Sequence, residues 1–231
     1  MTALSVIVPV LDEAELIRDV LLSLSVLRQR GTEVIVVDGG SQDGTPALAA
    51  PLADHVLIAA RGRAAQMNAG AAKARGEALL FLHADTRLPA DADRLIVERL
   101  ARSGRAWGRF DVKIAGRHPL LAVIGLMMNL RSRLTGIVTG DQAMFMTRTA
   151  FDRAGGFPDI SLMEDIALSS RLKRLGRPLC LKERVVTSGR RWERHGVVRT
   201  VLLMWRMRLA YFLGMQPAVL ARWYGYVPRR R

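Results

Sequence analysis

The chain is poor in cysteine and has no long apolar run. Cys180 is its only cysteine among 231 residues, which excludes an intrachain disulfide and a cysteine-based zinc cluster. No stretch reaches the ~20 apolar residues needed to span a bilayer, because residues 119–130 are too few and arginines interrupt residues 201–221. The sequence therefore predicts a fold that depends on its own hydrophobic core, as is usual in the cytosol.

Two common phosphate-binding loops are also missing, since neither G-x-x-x-x-G-K-[ST] nor G-x-G-x-x-G occurs. The amino terminus enters the first apolar run almost at once, without a basic segment and a cleavable apolar stretch. We therefore expect no secretory leader and a cytoplasmic location.

Basic residues are in clear excess. The net charge is +14, which favours anionic partners such as nucleotides, phosphorylated lipids, nucleic acid or an anionic membrane surface, without choosing among them. Much of the excess lies in the second half, at Arg190, Arg191, Arg194, Arg199, Arg206, Arg208, Arg222, Arg229, Arg230 and Arg231. The last three are either a solvated tail or a working contact. Residues 201–224 mix aromatic residues with arginines, which is typical of a helix at a membrane interface or of a core helix with one basic face.

Three short apolar runs in the first ninety residues each end in an acid. S-V-I-V-P-V-L-D-E reaches Asp12 and Glu13, V-I-V-V-D reaches Asp38, and L-L-F-L-H-A-D reaches Asp85. Such runs, separated by helical stretches, indicate parallel strands buried on both faces, and ligands of open α/β sheets bind beyond the carboxyl ends of the strands. Clustered acids need a divalent cation, a nucleotide's donor groups or basic side chains among them. The pattern predicts a ligand site at this edge.

Local patterns predict the remaining elements. Between residues 107 and 115, the alternation in G-R-F-D-V-K-I predicts a strand with one solvent-exposed face. The other predicted elements are helices at 15–27, after 45, up to 76, at 91–102 and at 119–130, and strands at 33–37, 55–58 and 79–82.

In this order the motifs resemble the nucleotide-sugar-dependent inverting glycosyltransferases of GT-A fold, the family 2 glycosyltransferases. V-V-D-G-G-S-Q-D-G-T looks like the second strand of that family, L-H-A-D-T stands where its D-x-D metal motif belongs, and G-G-F-P followed by M-E-D-I-A-L-S-S-R-L looks like its acceptor-side helix. The resemblance covers residues 4 to about 180. It implies an α/β fold with a Rossmann-like, mostly parallel central sheet flanked by helices, and a helical C-terminal extension. It further implies one domain over 1–231, with a nucleotide-sugar-binding half (about 1–118) and an acceptor-binding half (about 119–231).

The resemblance also implies a set of nucleotide contacts: Pro9, Leu11, Glu13, Asp38, Arg61, Arg63, Gln66 and Ala84. Asp38 would face the uracil or ribose. Its alternative role is that of a turn aspartate bonded to its own backbone.

For a divalent metal the resemblance implies Asp85 as a ligand. His83 stands where the family has its first acid, and it either coordinates the ion or points into the sheet. If the strand continued, residues 83 and 85 would face the same side. His195 could complete the site from the C-terminal side. Imidazole suits transition metals, so we expect Mn²⁺ rather than Mg²⁺.

The catalytic pair implied by the resemblance is Asp165 as general base and Glu164 as the residue that binds or orients the acceptor. The alternative is a pair of helix N-terminal acids favoured by the helix dipole. Acceptor or diphosphate contacts are expected from Asp141, Arg190, Arg191 and Trp192.

The expected activity is metal-dependent transfer of a sugar from a nucleoside diphosphate sugar, which we expect to be UDP-linked, to a hydroxyl of a lipid, a polysaccharide precursor or another small acceptor, with inversion. Peripheral contact with an anionic membrane is included in this expectation, and nucleic acid is not. The alternatives are a metal-dependent phosphotransferase and a non-catalytic basic module that binds membrane or nucleic acid. The second alternative would have no need of acids at three strand ends.

Overall fold

A mixed sheet forms the centre of the molecule. The computed structural model describes residues 2–226, so the arginines at 229–231 lie outside the described residues. Within that range the sheet has eight strands in the order β3-β2-β1-β4-β7-β6-β8-β5. The strands are β1 (Leu4–Val10), β2 (Glu33–Asp38), β3 (His55–Ile58), β4 (Ala78–Phe81), β5 (Thr86–Arg87), β6 (Trp107–Ala115), β7 (Phe145–Thr147) and β8 (Leu179–Ser188). The pairs β1/β2, β1/β4, β2/β3 and β6/β8 are parallel, and the other three are antiparallel.

Helices cover both faces of this sheet. They are α1 (Ala14–Ser23), α2 (Ser25–Gln29), α3 (Thr45–Ala49), α4 (Arg63–Lys73), α5 (Ala92–Ser103), α6 (Leu120–Thr135), α7 (Arg148–Ala154), α8 (Glu164–Leu172), α9 (Arg190–His195), α10 (Val197–Phe212) and α11 (Pro217–Trp223). The helix predicted at 15–27 is divided at Leu24, next to Ser23, whose hydroxyl donates to the Val20 carbonyl and so favours a bend.

The continuous apolar runs of β1, β2 and β4 are buried along their whole length. Alternate residues of β1 enter different cores, since Val6 and Val8 pack with α1 and α5, whereas Ile7 packs with α4 and α8. This two-sided burial explains why these strands lack the polar alternation of a half-exposed strand.

Helix α4 lies close to the sheet because a glycine faces the strands. A Cβ at Gly70 would overlap the Ile7 side chain and lie 3.0 Å from Val37 Cγ2. The close approach positions the first turn of α4, which carries Arg63 and Gln66, beside the carboxyl ends of β1 and β2.

The prediction of a solvent-exposed face on β6 was wrong for its first six residues, which are all buried. Helix α6 covers that face, and the Asn129 side chain binds both the N–H (2.8 Å) and the carbonyl (3.0 Å) of Val112. Arg109 is fully buried and donates to Asp111, which also accepts two bonds from Arg133. Polar residues on this face therefore mark a buried ion network.

The C-terminal helices pack over the start of α8. Met163 and Ile166 form a small core with Met207 of α10 and Leu220 of α11. Among the helices of residues 2–226, none combines the length and the apolar character needed to cross a bilayer.

Candidate active site

A cavity of about 1150 Å³ opens at the carboxyl ends of β1 and β4 and extends between α6 and α10. Most of the residues predicted from the sequence line it. They are Pro9, Leu11, Glu13, Arg63, Gln66, His83, Ala84, Asp85, Asp141, Glu164, Asp165, Arg191 and Trp192. Residues from both halves of the chain therefore meet in one space.

Four predicted site residues do not line this cavity: Asp38, Arg61, Arg190 and His195. The buried Asp38 carboxylate accepts from the N–H groups of Gly40 (2.8 Å) and Ser41 (2.9 Å), which is the geometry of the turn alternative. Arg61 and His195 are exposed. Arg190 stands at the rim, with Nη2 3.7 Å from Glu13 Oε2. The nucleotide and metal roles of these residues stay predictions.

The loops after β1 and β2 are cross-linked by their own acids and hydroxyls. Asp12 Oδ1 accepts from the Gln42 N–H (2.9 Å), and the Asp12 N–H donates to Ser41 Oγ (2.8 Å). Asp43 Oδ2 accepts from the Ala14 N–H (2.9 Å) at the start of α1. These acids satisfy backbone donors, and of the strand-end acids Glu13 and Asp85 face the cavity.

Gln66 links the ends of the first two strands. Its side-chain amide donates to the carbonyls of Val10 (2.7 Å) and Val37 (2.8 Å). Both amide hydrogens are thus used on the protein, and the amide oxygen is the group that can accept from a ligand.

Glu13 and Asp85 form an acidic corner. Burial raises the pKa of Glu13, and the charge of Asp85 adds to this effect, while Arg190 and Arg63 act against it. Asp85 Oδ1 accepts a long hydrogen bond (3.3 Å) from the Thr86 hydroxyl. Such a corner attracts a cation.

The protein does not provide a complete metal cage in this corner. Within residues 2–226, no three His, Cys, Asp or Glu side chains lie close enough to hold an ion by themselves. A single carboxylate fits a different arrangement, in which the remaining ligands are phosphate oxygens of a nucleotide and water, as is common for hard divalent cations.

His83 lies in a turn beyond the end of β4, since the Thr86 N–H bonds to its carbonyl at 3.0 Å. The strand alternation expected for residues 83–85 therefore does not apply, although both side chains reach the cavity. Nδ1 of His83 is 3.4 Å from Asp141 Oδ1, and a Cβ at Gly140 would overlap the imidazole ring. Burial acts to raise the pKa of Asp141, but His83, Arg63 and Arg131 together lower it.

Asp165 is held at the start of α8 by two backbone donors. Oδ2 accepts from the Gly140 N–H (2.8 Å), and Oδ1 accepts from the Ile166 N–H (2.7 Å). Burial raises the pKa of Asp165, with a further contribution from Asp141, despite these donors and His83. A carboxylate with a raised pKa is a better proton acceptor near neutral pH.

Glu164 precedes Asp165 and is buried. Burial and the neighbouring Asp165 charge raise the pKa of Glu164, and Arg63 partly offsets them. Arg63 is itself desolvated, but the acids around it, Glu164 first, raise the pKa of its guanidinium. The site therefore contains a group of carboxylates that a few arginines hold together.

The sequence patterns missed three residues of this site: Arg131, Gly140 and Tyr224. Tyr224 lines the cavity with its ring 3.5 Å from the guanidinium carbon of Arg191, which also donates to the Tyr224 carbonyl at 2.8 Å. The available signals were an arginine that directly follows the apolar stretch 119–130 and a tyrosine among C-terminal basic residues. Neither signal distinguishes a site residue from a surface residue.

Comparison with known proteins identifies similar sequences and structures. The model of glycosyl transferase family 2 matches residues 5–152. A comparison with curated proteins returned no match. Among solved structures, S. aureus TarS residues 1–349 has a TM-score of 0.65 at 18% identity, covering 81% of this chain and 60% of that one.

Two further structures were solved with nucleotides and Mn²⁺. The mannosyltransferase PcManGT from Pyrobaculum calidifontis, in complex with GDP-Man and Mn²⁺, has a TM-score of 0.62 at 24% identity and covers 97% of this chain and 65% of that one. Glucosyl-3-phosphoglycerate synthase from Mycobacterium tuberculosis, with Mn²⁺, UDP and glucosyl-3-phosphoglycerate, has a TM-score of 0.60 at 21% identity, with 80% and 70% coverage. At these identities the similarity establishes a shared fold, and the chain spans 60% of the TarS fragment.

Proposed function

The chain belongs to glycosyltransferase family 2, and from this premise we propose that it transfers a sugar from a nucleoside diphosphate sugar to an acceptor hydroxyl with inversion. Residues 1–118 bind the nucleotide sugar in this proposal, and residues 119–231 bind the acceptor. The observation that carries it is the half-buried Asp165 carboxylate, whose pKa is raised and whose two oxygens are fixed by the N–H groups of Gly140 and Ile166. This carboxylate shares a cavity with the acidic corner of Glu13 and Asp85.

Asp165 is the proposed general base. It accepts the proton of the acceptor hydroxyl while the acceptor oxygen bonds to the anomeric carbon and the bond from that carbon to the diphosphate breaks. A single displacement of this kind inverts the configuration at the anomeric carbon. Glu164 is proposed to orient the acceptor, and the fixed Asp165 oxygens reduce the reorganisation needed for proton transfer.

Three arginines meet the charge of the departing diphosphate in this proposal. Arg63 and Arg191 line the cavity, and Arg190 stands beside Glu13 at its rim. Arginine is suited to phosphate because its guanidinium donates two parallel hydrogen bonds.

A divalent cation would be held by Asp85 together with the phosphates of the donor. When bound, it would neutralise charge that develops on the diphosphate. We propose Mn²⁺, a choice that the imidazole of His83 in the same turn favours and that is consistent with the ion in two of the similar structures. His195 is exposed and does not line the cavity, so the proposed metal site does not include it.

Contact with an anionic membrane is proposed for the outer faces of α6 and α10. Both helices expose large apolar side chains, among them Leu126 and Leu134 on α6 and Leu209 and Phe212 on α10. Arg199, Arg206 and Arg208 lie among the exposed apolar residues of α10, as in helices that bind a membrane interface.

Calorimetric titration with UDP and GDP, with and without Mn²⁺ or Mg²⁺, followed by a panel of donor sugars, tests this function. We expect one nucleotide to bind in a metal-dependent manner. Asp85→Asn should weaken this binding about tenfold or more, because the carboxylate and the phosphates share the ion. Asp91→Asn, which removes an exposed carboxylate at the start of α5, is the matched control and should bind normally.

Asp165→Asn should keep donor binding and lose transfer by a factor of about 10²–10⁴, the usual contribution of a general base. Release of the nucleoside diphosphate in the presence of an acceptor is the measurement. Full activity of this variant would refute the assignment, and failure of the protein to bind any nucleoside diphosphate would refute the function.

A further inference from the structure

Helix α6 directs an arginine without a counter-ion into the cavity. Nε and Nη2 of Arg131 are buried and have no hydrogen-bond partner among residues 2–226. No carboxylate of those residues lies within 4.0 Å of this guanidinium. Burial lowers the pKa of Arg131 although Asp165 and Asp141 act against this effect. A guanidinium stays charged, so its unused donors carry a desolvation cost that a bound anion would remove.

Neighbouring arginines of the site are better compensated. Arg133, two residues further along α6, donates to both oxygens of Asp111. Arg191 donates to the Tyr224 carbonyl and stacks on its ring. Among the described arginines that line the cavity, Arg131 is thus the one with buried guanidinium nitrogens that lack a hydrogen-bond partner. It lies close enough to Asp165 for that carboxylate to act on its pKa.

An apolar groove leads away from this guanidinium. Its walls include Val123, Ile124 and Met127 of α6, and Val198, Leu202 and Trp205 of α10. Positions 120, 124, 127 and 131 lie on one face of an α-helix, so the apolar side of α6 ends at Arg131. Along the helix axis this side is about 16 Å long. Exposed fractions of 52% for Val123, 59% for Leu202 and 66% for Trp205 show that the groove is open along its walls.

We propose that the acceptor is a phosphorylated lipid, whose phosphate binds Arg131 and whose apolar chain lies in the groove between α6 and α10. This inference rests on the proposed function, because it names the acceptor of that reaction. Charge complementarity selects an anion at Arg131, and the groove selects a chain attached to that anion. The phosphate then holds a hydroxyl of the same lipid near Asp165, in the cavity that Glu13 and Asp85 also line.

The test compares three probes on the full chain: decyl phosphate below its critical micelle concentration, decanol, and inorganic phosphate. Binding is followed by tryptophan fluorescence, since Trp192 and Trp205 line the cavity, and by calorimetry. We expect decyl phosphate to bind at least tenfold more tightly than either decanol or inorganic phosphate, because only decyl phosphate occupies both parts of the site.

Arg131→Gln should weaken decyl phosphate binding roughly tenfold to a hundredfold, as expected for a charge-assisted hydrogen bond, and leave decanol and UDP binding unchanged. Arg102→Gln, at an exposed position of α5, controls for the loss of one positive charge. Leu202→Gln should weaken decyl phosphate and decanol alike. Leu209→Gln, 62% exposed on the same helix but outside the cavity, should change neither.

Two results would overturn the proposal. If Arg131→Gln weakens UDP but not decyl phosphate, the guanidinium serves the donor. If inorganic phosphate binds as tightly as decyl phosphate, the groove does not hold a chain. Failure of the proposed function is distinguishable, because UDP and GDP would then fail to bind in every condition while decyl phosphate binding still depended on Arg131.

Discussion

The carboxylates of this site differ in the hydrogen bonds and positive charges that stabilise their ionised forms. Asp38 is satisfied by backbone N–H groups of its own turn, and Asp141 by His83 and arginines. Glu164 is buried beside the half-buried Asp165, and both carboxyl groups have raised pKa values. Under-compensated acids therefore occur where the proposed chemistry needs a proton acceptor.

At the residue scale, Glu164→Gln should stabilise the protein at neutral pH by about 1–2 kcal/mol, because it removes a buried carboxylate that is incompletely compensated. Its pKa is raised in the folded state, so the folded protein binds more protons than the unfolded chain above pH 4.5, the ordinary value. The contribution of Glu164 to the free energy of unfolding is therefore fully present below pH 4.5, and it is lost as the pH rises through the folded-state pKa of this group. The variant's advantage should shrink on acidification.

Urea unfolding at pH 7.5 and pH 4 measures this difference. Glu98→Gln, which changes a carboxylate of α5 away from the cavity, is the control and should alter stability little at either pH. An equal gain for Glu164→Gln at both values would mean that the stabilisation does not arise from ionisation.

At the scale of elements, the approach of α4 to the sheet positions the first turn of the helix. Gly70 allows this approach, Asn68 binds the backbone of Phe157 on the other side (2.8 and 2.9 Å), and Gln66 links β1 to β2. Arg63 and Gln66 reach the cavity because the helix is fixed at these three points.

Gly70→Ala should destabilise the protein by about 1–3 kcal/mol, since the added methyl group would overlap Ile7 and approach Val37. Helix propensity alone predicts the opposite sign, a gain of ~1 kcal/mol. The control Ala72→Gly, at an exposed position of the same helix, should follow propensity and lose roughly that amount. Chemical denaturation gives both values, and a Gly70→Ala variant more stable than the parent would contradict the steric argument.

The sequence was sufficient to predict the GT-A fold, which the family match and the structural similarities confirm. The apolar runs located β1, β2 and β4 because strands buried on both faces carry a strong local signal. β6 was misjudged because Arg109 and Asp111 are polar yet buried beneath α6. Burial of that kind depends on a distant helix and leaves no local pattern.

The same limit applies within the site. Asp85 and Asp165 could be selected because they stand in motifs, and their roles stay predictions. Arg131 could not be selected, because its proposed role follows from two buried guanidinium nitrogens that have no hydrogen-bond partner within the described residues. The order of residues in a sequence does not show which polar side chains lack a hydrogen-bond partner once the chain has folded.

At the scale of the whole molecule, a charge of +14 accompanies apolar side chains on the outer faces of α6 and α10. Each basic residue near an anionic bilayer contributes about 1 kcal/mol, screened by salt, and the apolar residues add interfacial burial. The combination favours reversible attachment to an anionic surface.

We expect the protein to sediment with phosphatidylglycerol vesicles at low salt, to be released severalfold by 0.5 M salt, and to bind phosphatidylcholine vesicles weakly. Changing Phe212 and Leu213, 67% and 78% exposed, to Gln should reduce vesicle binding about tenfold. Leu22→Gln, 46% exposed on α1, should not reduce it. Equal binding to both vesicle types would contradict an electrostatic contribution.

Pro9 and Tyr224 are more than two hundred residues apart in the chain, yet both line the cavity, where Arg191 stacks on the Tyr224 ring. During synthesis the ribosome therefore delivers Glu13 and Asp85 well before Tyr224, which follows Asp85 by 139 residues. A nascent chain therefore carries the acids of the cavity before it carries Tyr224, and the full lining of the cavity forms only after α11 and Tyr224 have packed.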